Sequence, residues 1–82
     1  MVTPLNAPRE IRVTAAGDGG PASVRAGGRQ RRVARVSNRW RIDDEWWRQE
    51  VSRRYFELEM SDGTVITVFC DLVSGRWYQQ RY

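Results

Sequence analysis

The sequence predicts an all-β fold, a small antiparallel meander of about five or six strands. Apolar residues alternate with polar ones in short runs, which is the pattern of half-buried strands. Turn-forming Gly, Pro and Asp separate those runs at intervals of roughly eight to twelve residues. No apolar 3.6-residue period lasts long enough for a helix, so the strand–helix–strand spacing of an α/β fold is absent.

Residues 1–8 carry two prolines and no periodicity, and read as a flexible lead-in to a single domain over residues 9–82. From Arg9 to Thr14 the chain alternates, with Ile11 and Val13 on one face, and predicts a strand. Ala15–Pro21 is a loop by composition. Pro21–Arg25 is a weaker strand, and Gly27-Gly28 reads as a turn.

The run Arg32–Ile42 predicts a longer strand. Its alternation places Trp40 and Ile42 inward and Arg39 and Arg41 outward, with Val33 out of phase, as a bulge or a strand start would make it. Asp43-Asp44-Glu45 breaks the pattern and reads as a tight acidic turn.

Arg54–Cys70 holds the clearest signal. Phe56, Leu58 and Met60 alternate with Tyr55, Glu57 and Glu59, and Asp62-Gly63 separates this run from a second one. Asp-Gly between alternating runs predicts a two-residue type I′ hairpin. That loop sets Met60 opposite Val65, Leu58 opposite Thr67 and Phe56 opposite Phe69, with all six on the core face; a slip of one residue would reverse every facing. A further hairpin turns at Ser74-Gly75 into Arg76–Tyr82. The whole reads as a small SH3-like or OB-like barrel, or as a strongly bent sheet.

With 82 residues the chain makes one domain. A single cysteine, Cys70, permits no internal disulfide and no thiolate zinc site. No run approaches the length of a membrane span, and the N-terminus lacks the pattern of a signal peptide. The expectation is a soluble cytoplasmic protein.

Catalysis needs a nucleophile with a base, paired carboxylates in a cleft, or a metal. The chain has no histidine. Cys70 falls mid-strand, where a small buried apolar residue is the natural reading. Asp43, Asp44 and Glu45 are acidic enough to attract a divalent cation, but a loop carboxylate cluster is usually a solvated turn. Neither a phosphate loop nor a GxGxxG motif is present. The sequence therefore predicts no enzyme, no catalytic residue, no metal site and no cofactor.

Binding remains. The net charge is +4, and all 14 basic residues are arginine. Codon bias in a GC-rich genome produces such a repertoire; so does selection for guanidinium groups that grip phosphate bidentately and stack on bases. Seven arginines and no acid lie between Arg25 and Arg41, and the balance reverses from Asp43 to Asp62. Aromatics interleave with arginine at Trp46-Trp47-Arg48, Arg53-Arg54-Tyr55, Arg76-Trp77-Tyr78 and Arg81-Tyr82. Cation–π packing over core rings explains such pairs structurally; stacking on a base or a partner explains them functionally. The candidate binding residues are Arg29, Arg31, Arg32, Arg35, Arg39 and Arg41, together with Trp46, Trp47 and Arg76. Adjacent strand residues face opposite ways, so at most one of Trp46 and Trp47 enters the core.

Three segments, Trp40-Arg-Ile-Asp-Asp-Glu-Trp-Trp-Arg48, Ser52-Arg-Arg-Tyr-Phe56 and Asp71-Leu-Val-Ser-Gly-Arg-Trp-Tyr78, carry a family resemblance. With them the chain, over roughly residues 9–82, resembles a small bacterial domain of unknown function. That family is associated with the Y-family polymerase-like mutagenesis protein of a damage-inducible mutagenesis cassette. The resemblance implies an accessory domain acting near translesion synthesis or DNA repair, and it assigns no functional residues. Two partners follow as expectations: single-stranded or duplex nucleic acid, or a mutagenesis or repair polymerase subunit. No membrane partner is expected, and the domain is expected to be a monomer or weak dimer.

Overall fold

The computed structural model describes residues 8–17, 20–46 and 49–80, with the side chains of residues 44–50 outside that description. Six strands follow in chain order: β1 (Arg9–Ala15), β2 (Pro21–Ala26), β3 (Arg29–Trp46), β4 (Gln49–Met60), β5 (Val65–Asp71) and β6 (Trp77–Gln79). Each is antiparallel to its neighbour, and β6 pairs back onto β1 through Ile11 and Trp77, closing a barrel. The β6–β1 pairing covers the edges of those two strands, whereas β3 beyond Arg32 pairs with β4 alone among the described strands. Among the described residues no helix is long and apolar enough to cross a membrane. The lead-in expected at residues 1–8 lies outside the described residues, apart from Pro8.

The alternating residues of four strands fill the barrel. Ile11, Val24, Phe56, Leu58, Met60 and Val68 form the buried cluster, with Val13, Val33, Val36, Ile66 and Trp77 packed against it. Phe56 and Trp77 bring their rings to 5.6 Å. The Gly27-Gly28 turn is the two-residue connection between β2 and β3, with Ala26 opposite Arg29. Both glycines have positive φ, 59° and 78°, as a type I′ turn requires.

The β4–β5 hairpin corrects the expected register by one residue. Glu59 faces Val65, Leu58 faces Ile66, Phe56 faces Val68 and Tyr55 faces Phe69. The loop holds three residues instead of two: Met60 N–H donates to the Thr64 carbonyl at 2.8 Å, and Gly63 N–H donates to the Met60 carbonyl at 3.0 Å. Gly63, at φ 90°, supplies the left-handed residue that ends such a three-residue turn. Asp62 serves as an acceptor, taking the Thr64 N–H at 3.0 Å and the Thr64 hydroxyl at 2.6 Å. Val65 is consequently 57% exposed, while Val68 is wholly buried. The last hairpin is also longer than expected. Asp71 N–H bonds the Arg76 carbonyl at 2.8 Å, so the turn spans Leu72–Gly75 rather than Ser74-Gly75 alone.

β3 departs further from expectation. Its pairing with β4 slips between Val33 and Arg35 and again between Val36 and Asn38, leaving Ala34 and Ser37 as extra residues. The first slip is the bulge anticipated near Val33. The second reverses the facing of all that follows, so Trp40 and Ile42 point away from the core and are 37% and 43% exposed. Arg39 and Arg41 take the face shared with Phe56 and Arg54. The Ser37 hydroxyl holds this second bulge by donating to Glu57 Oε1 at 2.9 Å. Asp43, Asp44 and Glu45 are not a turn either. They continue the ladder opposite Ser52, Val51 and Glu50. β4, paired alongside them from Gln49 onward, overrides their poor strand propensity.

Candidate functional site

The second bulge has one large consequence. Trp40 on β3, Tyr55 on β4, Phe69 on β5 and Tyr78 on β6 stand directly opposite one another across three successive strand pairs, on the outer face of the sheet. Their rings form a ladder with centroids 5.3, 5.0 and 5.3 Å apart. This spacing approaches the distance between strands, about 4.7–4.9 Å. Tyr55 and Phe69, in the middle, are buried. Arg53 lids the ladder, with its guanidinium carbon 4.8 Å above the Phe69 ring and Nη1 donating to the Tyr55 hydroxyl at 3.4 Å. Trp40 ends the ladder. Its strand pairs with β2 only over Arg29–Arg32, so no described strand lies beside Trp40 on the side away from β4.

Around Trp40 the arginines gather. Arg39, Trp40, Arg41 and Arg54 line an open concavity of about 210 Å³. Arg41 and Arg54 are direct cross-strand partners, a like-charge pairing that destabilises a bare sheet. Arg41 is relieved by Asp43, 2.8 Å away. The Asp43 carboxyl is held below its usual range by the hydroxyl of buried Ser52, which donates to it at 2.6 Å, and then by Arg41. Arg54 and Arg39 have no carboxylate partner among the described residues; Arg39 lies 6.0 Å from the Phe56 ring centroid. Register sends the Arg39 and Arg54 side chains to the face opposite Trp40. This concavity at the β3 edge is therefore lined mainly by the indole and the arginine stems, and neither guanidinium has a carboxylate partner among the described residues. An anion with an aromatic group fits that chemistry.

The other predicted residues are dispersed. Arg31 ties β3 to the β4–β5 turn, with Nη2 3.0 Å from Asp62 and bonded to the Thr64 hydroxyl. Arg35 grips Glu59 across the strands in a fork of 2.7 and 2.9 Å, which holds the Glu59 carboxyl below its usual range. Both are spent on structure, so the stretch Arg25–Arg41 is not one uninterrupted positive stripe. Arg32 lies opposite Ser23, and Arg29 follows the glycine turn; both are exposed, without a carboxylate among the described residues. Arg76 sits on the β5–β6 connection, two strands from Trp40, where Ser74 Oγ accepts its backbone N–H at 3.3 Å. Trp46 ends β3 opposite Gln49, with its side chain outside the described residues, as is all of Trp47.

No family model, curated protein or solved structure matches the chain.

Among the described residues no group of three His, Cys, Asp or Glu side chains is placed to hold a metal ion. Register puts Asp43, beside Ser52, and Asp71, beside Arg53, on opposite faces. Cys70 is half-buried, and burial raises its thiol pKa. Trp40 and Arg54 are the members of the site that sequence reasoning missed. The signal available was Ser37-Asn38, a polar break directly after Val36, where a second bulge restores the phase.

Proposed function

We propose that this domain is a non-catalytic binding module that contacts nucleic acid through the arginines around Trp40. The observation that carries the reading is that Arg39 and Arg54, both without carboxylate partners among the described residues, share one concavity at the β3 edge with the part-exposed Trp40. Guanidinium groups neutralise phosphate and release counterions, so such binding falls steeply with salt. The family resemblance supports a setting in DNA repair or translesion synthesis. A fluorescein-labelled oligonucleotide titrated at low salt tests the proposal by anisotropy. Binding that weakens as salt rises, and that Arg39→Ala with Arg54→Ala abolishes, is the expected result; a flat titration at low salt refutes it.

A second reading, docking onto a protein partner such as a polymerase subunit or another copy, draws on the edge of β3. From Val33 to Trp46 this strand pairs with β4 alone among the described strands. An edge of that kind accepts an added strand. Arg32, Arg35 and Arg39 line a groove of about 480 Å³ along it, facing Pro21 and Ala22. The bulges at Ala34 and Ser37 blunt this edge, which places the reading second. Strictly monomeric sedimentation together with no recovered partner removes it.

A further inference from the structure

We infer that the ligand is single-stranded, and that one of its unpaired bases stacks on Trp40 as a fifth ring continuing the ladder. The inference rests on the nucleic-acid reading and specifies what that site recognises. Each ring from Tyr78 to Trp40 is laid on the next by direct cross-strand pairing, and the last step, Trp40 on Tyr55, is 7° from parallel. The inner face of the indole is thus occupied by Tyr55. The outer face continues the same direction past the edge of β3, where no described strand follows. Any planar ring placed there meets an indole already fixed in orientation by three rings behind it, so little side-chain entropy is lost on stacking.

The flanking charges select the planar ring. Arg39 and Arg54 share the edge concavity with Trp40 but leave the sheet on its opposite face, without a carboxylate among the described residues, and Arg41 is compensated by Asp43. A base carries phosphates on both sides of its sugar, and a chain that crosses the edge of β3 carries them toward the arginines on the other face; an aromatic amino acid in a peptide carries no such charge. Inside a duplex the bases are paired and already stacked on both faces, so only its two terminal pairs have a face available to the indole. A single strand offers its bases freely, and aromatic stacking on it is tolerant of sequence. The shared chemistry is an unpaired nucleobase with flanking phosphates, in either a deoxyribose or a ribose chain.

The full chain is titrated with four labelled eight-nucleotide probes: oligo-dT, oligo-U, an abasic chain of the same backbone, and a duplex closed at both ends by non-nucleotide linkers that cover its terminal pairs. Oligo-dT or oligo-U should bind roughly 10-fold more tightly than the abasic chain, the size expected for one stacked base. The duplex should bind no better than the abasic chain. Trp40→Leu should erase the preference for bases, and Trp40→Phe should keep most of it. Equal binding of oligo-dT, oligo-U and the abasic chain overturns the stacking inference while leaving the arginine reading in place. A duplex that binds as tightly as the single strands overturns it as well. If none of the four probes binds at low salt, both the inference and the nucleic-acid reading fall. Should Trp40→Leu not fold, as judged by its thermal melt, the probe comparison on the unaltered chain still decides.

Discussion

Trp40 lies over Tyr55 with ring centroids 5.3 Å apart and planes 7° from parallel. The two residues are direct partners across β3 and β4, and they meet on the outer face because Ser37 adds a residue to β3. Without that bulge the same alternation would carry Trp40 into the barrel. A single inserted residue therefore converts a core aromatic into the exposed end of a ladder, and it turns Arg39 and Arg41 to the face they share with Arg54.

The register of β4 against β5 gives the most direct check on the fold. Val68 is wholly buried and Val65 is 57% exposed. Val68→Ala should destabilise the domain by about 2 kcal/mol, from lost transfer energy and the cavity left behind. Val65→Ala should stay within about 0.5 kcal/mol of the parent. Urea unfolding of both variants measures the contrast, and the two-residue hairpin would reverse it.

The β4–β5 turn should fail in acid. Asp62 is pulled from 3.8 to about 2, first by the Thr64 hydroxyl and backbone N–H, then by Arg31. Its folded pKa lies below its unfolded value, so its contribution is complete above the unfolded pKa. It is lost as pH falls from 3.8 toward about 2. Asp62→Asn should remove this part of the acid sensitivity and lower stability at neutral pH. Thermal melts of both proteins across pH 2 to 7 show whether the curves converge at the acid end.

Salt dependence separates the open arginines from the engaged ones. Arg39→Ala and Arg54→Ala should each weaken oligonucleotide binding and reduce the slope of log K against log salt by about 1. Arg35→Ala should leave that slope unchanged, because Arg35 is already forked onto Glu59. Anisotropy titrations at several salt concentrations give all three slopes.

Cys70 should be a slow thiol. Burial raises its pKa, Asp71 adds to the rise, and Arg54 opposes it. The thiolate is the reactive form, so alkylation by iodoacetamide at neutral pH should be slower than for a free cysteine. Guanidinium unfolding should restore the ordinary rate, which mass spectrometry follows directly.

The order and number of the main strands were legible in the sequence, as were the facing of Phe56, Leu58 and Met60 and the turn at Gly27-Gly28. Each depends on neighbours in the chain: alternation has a period of two, and left-handed backbone favours glycine. The phase of β5 was not legible. Asp62-Gly63 suits both a two-residue and a three-residue loop, and the two differ by one step. Nor was the continuation of β3 through Asp43-Asp44-Glu45, which requires β4 to be there from Gln49 onward.

The same division holds for the candidate site. Composition alone determined that the chain is rich in arginine and tryptophan. Only the tertiary structure decided which arginines are neutralised, by bringing Asp62, Glu59 and Asp43 against Arg31, Arg35 and Arg41. It also decided that Trp40 faces outward. Inward or outward is the parity of a residue counted from its last bulge, and a bulge is fixed by pairing with a strand about twenty residues away. Period is a local property of the chain; parity belongs to the sheet.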